Sequence, residues 1–323
     1  MTALVGDIGG TNARFALWRD GQIESVRVLP TLDHQRPEDA IRAYLQSIDQ
    51  SLEAVQAVCL ACAGPVSGDE FAFTNNDWRL SRKSFCQELG LRDLLLINDF
   101  AAMALGMTRL GADDLIEVCP GQSAAGRARL VIGPGTGLGV ATLLPMPDGT
   151  WQAMPGEGGH ACLPIGSIRE AALWTRLHEK LGHVNAEAIL SGGGLLELYR
   201  TSCALDGEAP RLSSPAEITA AALGGDEYAE TVLEQFCVWL GRIVGDNVLT
   251  MGAQGGVYIA GGVIPRFVEF FARSGFSRSM RDKGSMSRYF DDVPVWVVTA
   301  KYPGLEGAGL ALQPLLDRSF GER

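Results

Sequence analysis

The stretch that most limits what this chain can become is residues 3–17, "ALVGDIGGTNARFAL", where a glycine turn separates two apolar runs. Glycine weakens a strand interior, so a cluster there marks either a tight turn or a backbone that something else approaches closely. A stretch of the same kind, "LVIGPGTGLGVATLL" at residues 130–144, follows about 125 residues later. Two such hairpins, each offering one loop, suggest two related halves, although a similarity this short is also open to convergence.

Periodicity fills in the rest. Apolar and β-branched runs predict consecutive strands from Ala3 to Trp18 and from Ile23 to Leu29, then strands in "AVQAVCLACAG", "DLLLIND" and "GGVYIAGGV". Helical spacing predicts helices over 36–53, 81–89, 168–181, 186–200, 215–223, 228–250 and 304–316. Strands that alternate with helices imply an α/β fold with a mixed sheet. No low-complexity linker interrupts the 323 residues, so a domain boundary is expected at short crossings near Leu110 and Lys301.

Composition narrows the function. A net charge of −11, with no long Lys or Arg run, disfavours a nucleic-acid partner. No apolar stretch reaches the length of a membrane span, and the first strand begins by Ala3, leaving no room for a signal sequence. Seven cysteines, an odd number, argue against a disulfide framework and for a reducing, cytoplasmic setting. Cys59 and Cys62 have C-x-x-C spacing inside an apolar run, where buried structural thiols are expected ahead of a redox or zinc pair.

Two familiar phosphate motifs are excluded. No Lys follows a Gly, so a P-loop is missing, and neither glycine cluster has the G-x-G-x-x-G spacing of a dinucleotide fold. In a hairpin, Gly9, Gly10 and Thr11 can expose successive N–H groups and a hydroxyl, and Gly135, Thr136 and Gly137 can do likewise. Plain glycine hairpins are the competing reading. Asp7 would repel a phosphate directly, but it suits a hydrated Mg²⁺, which takes few direct protein ligands. Gly261 and Gly262 would let a flat group such as adenine lie close to the backbone, or else serve only packing at a helix start.

Asn98 and Asp99 end the strand "LLLIND". The Asp is placed either to accept a proton from an incoming hydroxyl or to cap the helix that follows. In "PGEGGHACL", Glu157 and His160 offer a carboxylate and an imidazole, a pair that suits sugar hydroxyls, with metal binding beside Cys162 as the rival.

In order and spacing, "VGDIGGTNARFAL", "INDFAAMALG", "IGPGTGLGVA", "PGEGGHACLP", "LSGGGLLELYR", "GGVYIAGGVIPRF" and "YPGLEGAG" resemble the bacterial ATP-dependent glucokinase family of the actin-like ATPase superfamily. The likeness spans nearly the whole chain. It implies two actin-like ATPase (ribonuclease H-like) α/β domains flanking a cleft, a small one of residues 1–110 plus 302–323 and a large one of residues 111–301. It implies phosphorylation of D-glucose to glucose 6-phosphate, with ATP and Mg²⁺ as cofactors, and the family's habit is a homodimer.

By the same resemblance the phosphate loops are Gly6, Asp7, Ile8, Gly9, Gly10 and Thr11, and Gly135, Thr136 and Gly137, while Gly261 and Gly262 match the adenosine motif. Asp99 matches the catalytic base, and Asn98, Glu157, His160 and Glu187 match the sugar ligands. The Glu187 assignment rests on the resemblance alone; by sequence it is an exposed residue in a helix's first turn. Pro134 and Glu306 depart from the family pattern, both on the nucleotide side. The rival functions are a kinase for another hexose and a non-catalytic sugar sensor, for whose helix-turn-helix the N-terminus leaves no room.

Overall fold

The computed structural model describes residues 2–64, 66–73 and 76–321, with side chains through Asp317. Contacts divide the chain into two compact units, one of Met1–Leu110, Trp151–Pro155 and Ala300–Arg323, the other of Gly111–Thr150 and Gly156–Thr299.

The first unit opens with β1 (Thr2–Ile8), β2 (Asn12–Arg19) and β3 (Gln22–Pro30), followed by α1 (Pro37–Ser47) and β4 (Val55–Cys62). Two short strands, β5 (Glu70–Ala72) and β6 (Arg79–Ser81), precede α2 (Arg82–Leu89), β7 (Asp93–Asn98) and α3 (Asp99–Gly106). The sheet order is β3-β2-β1-β4-β7. β1 runs antiparallel to β2 and parallel to β4, and β4 runs parallel to β7.

Central β1 and β4 are apolar on both faces because both faces are covered. Leu4, Phe15 and Leu17 pack with Ile41, Tyr44 and Phe85, while Ala3, Val5 and Trp18 pack with Leu305, Ala308 and Leu312. Edge strand β3 is largely exposed and mixes apolar residues with Gln22, Glu24 and Arg27. Successive strand residues alternate faces, so Cys59 and Cys62 point to opposite sides of β4. Both thiols are buried, and burial pushes both up in pKa, which makes them structural thiols.

The chain continues through β8 (Leu115–Cys119), β9 (Arg129–Pro134), β10 (Leu138–Pro145), β11 (Trp151–Gly156), α4 (Ile168–Leu181), α5 (Gly192–Asp206), α6 (Pro215–Leu223) and α7 (Glu227–Met251). After these come β12 (Val257–Ile259), α8 (Val268–Arg273), α9 (Phe276–Arg281) and β13 (Val295–Val298). In the second unit the strand order is β10-β9-β12-β13-β8. β9 is antiparallel to β10 and parallel to β12, and β12 is parallel to β13. The series β2-β1-β4-β7 and β10-β9-β12-β13 therefore repeat one arrangement, each led by a glycine hairpin.

The core of the second unit gathers around α7, where Phe236, Trp239, Leu240 and Val244 are fully buried. Asp226 caps its start by accepting the Ala229 N–H at 2.9 Å, and Gly252 closes its end in the left-handed conformation at φ 63°.

Finally α10 (Pro303–Gly321) returns to the first unit. Glycine lets it lie against α3, since a Cβ at Gly307 would come 1.6 Å from the Ala102 carbonyl oxygen. Burial of Leu305 and Leu312 contributes about 1.5–3 kcal/mol each. Among the described residues, no helix is long and apolar enough to cross a membrane.

Two helix expectations shift, and the one over 36–53 ends already at Ser47. The helix expected over 186–200 begins instead at Gly192, because Ser191 caps it by accepting the Gly194 N–H at 3.0 Å, so residues 186–190 form turns. β8, β13, α8 and α9 lie outside the predicted elements; each is six residues or fewer, too short for periodicity to declare itself.

Candidate functional site

The first glycine turn joins β1 to β2 through residues 9–12. Gly9 N–H closes the turn on the Asn12 carbonyl at 3.0 Å, and Gly9 carbonyl accepts Asn76 Nδ2 at 3.2 Å. Thr31 holds the far side, with its Oγ1 donating to Gly10 O at 2.7 Å and its N–H to Thr11 O at 3.0 Å. Among the described residues the Gly10 and Thr11 amides have no hydrogen-bond acceptor, and the Thr11 side chain is exposed. Gly6 and Ile8 have packing roles: a Cβ on Gly6 would lie 2.7 Å from Leu60 Cδ2, and Ile8 is buried.

Asp7 sits two residues before the turn, directly across from Arg14, whose Nη1 donates to it at 3.2 Å. Its carboxyl is held above the usual carboxylate range by burial first, with Arg14 pulling the other way. A partly buried carboxylate with one cation beside it is a fit place for a second positive charge. Arg14 itself was outside the sequence reading; its register opposite Asp7 is the signal that would have found it.

The second turn, residues 135–137, is built on the same plan with different parts. Gly135 N–H closes on the Gly137 carbonyl at 2.8 Å, and Gly135 carbonyl accepts Gly192 N–H, the first residue of α5, at 2.8 Å. The Gly135 amide expected to face phosphate is thus engaged within the turn, and among the described residues the Thr136 and Gly137 amides have no acceptor. Pro134, which has no N–H, ends β9 opposite Leu138. Its carbonyl is used: Val263 N–H reaches it at 3.3 Å, and a Cβ on Gly261 would come 2.5 Å from it. Gly261, at φ 85°, is fixed by this approach, whereas Gly262 has open space at its Cβ position.

Glu187 comes to the second turn from a loop. Its Oε2 accepts Leu138 N–H at 2.8 Å, and its own N–H donates to Gly159 O at 2.8 Å. Gly137 makes room for it, because a Cβ there would lie 2.3 Å from Glu187 Oε2. Gly158 and Gly159 press on β10 in turn, with a Gly159 Cβ 2.1 Å from Leu138 O. The glycines of "PGEGGHA" thereby bring Glu157 and His160, both exposed, beside the segment that carries Glu187. His160 Nδ1 lies 3.1 Å from Asn185 Nδ2, a partner absent from the sequence reading.

In the first unit, Asn98 rather than Asp99 caps α3: its Oδ1 accepts Ala101 N–H at 2.9 Å, and its Nδ2 donates to Gly64 O at 3.4 Å. Asp99 is the first helical residue, half-buried, with Oδ1 accepting Phe100 N–H at 2.8 Å. A carboxylate is stabilised at a helix N-terminus. Glu306 belongs to the start of α10, where it faces Arg109 Nε at 3.9 Å, and burial raises its pKa.

Comparison with known proteins adds the family. The family model described as Glucokinase matches residues 4–315. A glucokinase of Pseudomonas paraeruginosa is 56% identical over 98% of this chain and 93% of its own length. The crystal structure of a glucokinase from an Antarctic psychrotroph superposes with TM-score 0.86 at 34% identity, covering 97% of this chain and 99% of that one. A ROK family glucokinase from Streptomyces griseus, solved in complex with glucose and AMPPNP, shares the fold at TM-score 0.65 and 21% identity, covering 96% of this chain and 99% of that one.

Proposed function

The chain belongs to the glucokinase family and phosphorylates glucose, and we propose that ATP is the donor, that the 6-hydroxyl is the acceptor and that Asp99 is the general base. The observation that carries this reading is Glu187, which joins the second glycine turn, through Leu138, to the loop of Glu157 and His160, through Gly159. One residue thereby links a phosphate-binding candidate to an acceptor-binding candidate.

The reaction asks little covalent work of the protein, so positioning and charge neutralisation dominate. Asp99 accepts the proton of the 6-hydroxyl as that oxygen attacks the γ-phosphorus, and the bond from the γ-phosphorus to the β-phosphate oxygen breaks to release ADP. Phe100 N–H holds the carboxylate in one rotamer for this task. Asn98, Glu157, His160 and Glu187 bind the sugar hydroxyls; Asn98 does so with only part of its amide, since Oδ1 serves the cap. The amides of Gly10, Thr11, Thr136 and Gly137 bind phosphate oxygens, and the open face of Gly262 receives the adenine. Asp7 would hold Mg²⁺ through water, which fits a partly buried carboxylate that burial makes reluctant to ionise alone. When bound, that ion supplies positive charge to the phosphates. The reading gives both units a share of the work, as two actin-like ATPase domains would divide it.

The test is a coupled assay of sugar phosphate formation with ATP and Mg²⁺, run on glucose beside mannose, fructose and N-acetylglucosamine. Glucose is expected to give the highest kcat/KM. Equal or better turnover of another hexose would overturn the glucose assignment.

A further inference from the structure

Resting on the reading of His160 as a sugar ligand, we propose that Asn185 is a positioning residue that fixes the His160 ring tautomer, so that the ring offers glucose a proton donor at Nε2.

The orientation of Asn185 is settled by its other bond. Its Oδ1 accepts Ala188 N–H at 2.9 Å, so Nδ2 is the atom that faces His160 Nδ1 at 3.1 Å. An amide NH₂ can only donate, which makes Nδ1 the acceptor and leaves the ring proton on Nε2. The backbone holds the pair in register. Leu163 N–H to Val184 O at 3.0 Å, Ala186 N–H to Ala161 O at 2.8 Å and Glu187 N–H to Gly159 O at 2.8 Å form a short ladder around the Cys162–Asn185 bridge.

That ladder carries His160 on one strand, and Asn185 and Glu187, two residues apart, on the other. A donor at Nε2 and a carboxylate acceptor give a hydroxyl two complementary partners: its oxygen accepts from His160 and its proton goes to a glutamate. With the opposite tautomer, two acceptors would face the same hydroxyl, which has one proton to give. Asn185 therefore sets the polarity of sugar recognition without touching the sugar.

The experiment combines ring-nitrogen NMR of ¹⁵N-histidine protein with steady-state kinetics. The chain has four histidines, and the His160→Gln spectrum assigns the resonance. In the wild-type protein, His160 is expected as the Nε2–H tautomer; an Nδ1–H form would overturn the proposal without any variant. Asn185→Ala should give a mixed-tautomer signal and a glucose KM raised about 3- to 10-fold at nearly constant kcat and unchanged ATP KM. Asn185→Asp keeps the shape and an acceptor for Ala188 but reverses the bond to the ring, and should raise KM at least as much. An unchanged KM in a folded Asn185→Asp protein would overturn the positioning role. If His160→Gln raises KM while neither Asn185 variant does, the inference fails and the ligand reading stands. If His160→Ala leaves the glucose KM unchanged, the ligand reading fails and the inference with it.

Discussion

The two glycine hairpins solve one problem in two ways. Both close the turn with the N–H of the first glycine and pin its carbonyl from outside, leaving the next two amides open. In the first hairpin the pin is a side chain, Asn76, while Thr31 holds the Gly10 and Thr11 carbonyls, and the strands carry an ion pair, Asp7 with Arg14. In the second hairpin the pin is the first backbone N–H of α5, and the nearby carboxylate, Glu187, is occupied by the backbone N–H of Leu138. The difference teaches that exposed amides come from turn geometry, which both hairpins share, whereas chemistry comes from what flanks the turn. In the proposed reading the first unit supplies the base and the carboxylate for Mg²⁺, and the second, with Glu187 engaged by a backbone N–H, supplies sugar recognition.

The largest expected effect tests that division. Asp99→Asn should lower kcat about 10²- to 10⁴-fold with little change in glucose KM, whereas Glu187→Gln should act mainly on glucose KM. Steady-state kinetics of both variants would break the comparison if the two effects were exchanged.

Asp7→Asn comes next. It should lower turnover about 10- to 100-fold, the size seen when a partner that acts on a metal through an intermediary is lost. It should also stabilise the ligand-free protein at neutral pH. Burial raises the Asp7 pKa in the folded state, so the charged form costs stability above that value and nothing below the unfolded value of about 3.9. Urea titrations should show the gain at pH 7 fading as pH falls toward 4. A variant less stable than wild type at pH 7 would contradict burial as the leading cause.

Within the second hairpin, Gly137→Ala should raise glucose KM about 10-fold and cost roughly 1–3 kcal/mol, because the new methyl meets the Glu187 carboxylate. Gly135→Ala meets nothing nearer than 4.0 Å and uses an amide already engaged, so its kinetics should stay within about twofold of wild type. Similar losses from both would mean that turn geometry, not Glu187, is the sensitive element.

The smallest pair concerns Gly261 and Gly262. Gly261→Ala should destabilise by about 1–3 kcal/mol, from its positive φ and the Pro134 carbonyl. Gly262→Ala should leave the melting temperature unchanged and raise ATP KM a few-fold. No change in ATP KM would place the adenine elsewhere.

Some of this was legible in the chain and some was not. The strand-turn-strand units were legible because a glycine cluster between apolar runs has few other solutions, and the long α7 because its caps and periodicity agree. Glu187 was misplaced onto a helix because Ser191, not any residue before it, supplies the cap. By sequence Asp99 reads either as base or as cap; that Asn98 supplies the cap is not legible, since adjacent Asn and Asp both favour a helix start. Asn185 carries no signal, being an ordinary polar residue whose partner lies across a loop, and Arg14 shows itself only once the β1–β2 register sets it opposite Asp7.

By itself, then, the sequence determined the α/β class, the two hairpins, the buried thiols and the residue types that suit phosphoryl transfer to a sugar. These follow from local rules: turn conformation, strand alternation and helix periodicity act within a few residues. Which amides of each turn are open, which of Asn98 and Asp99 caps α3, where Glu187 binds and which nitrogen of His160 faces Asn185 were decided only by the tertiary structure. Each depends on hydrogen bonds whose two ends are brought together by packing, and a buried polar group takes the partner that the fold delivers.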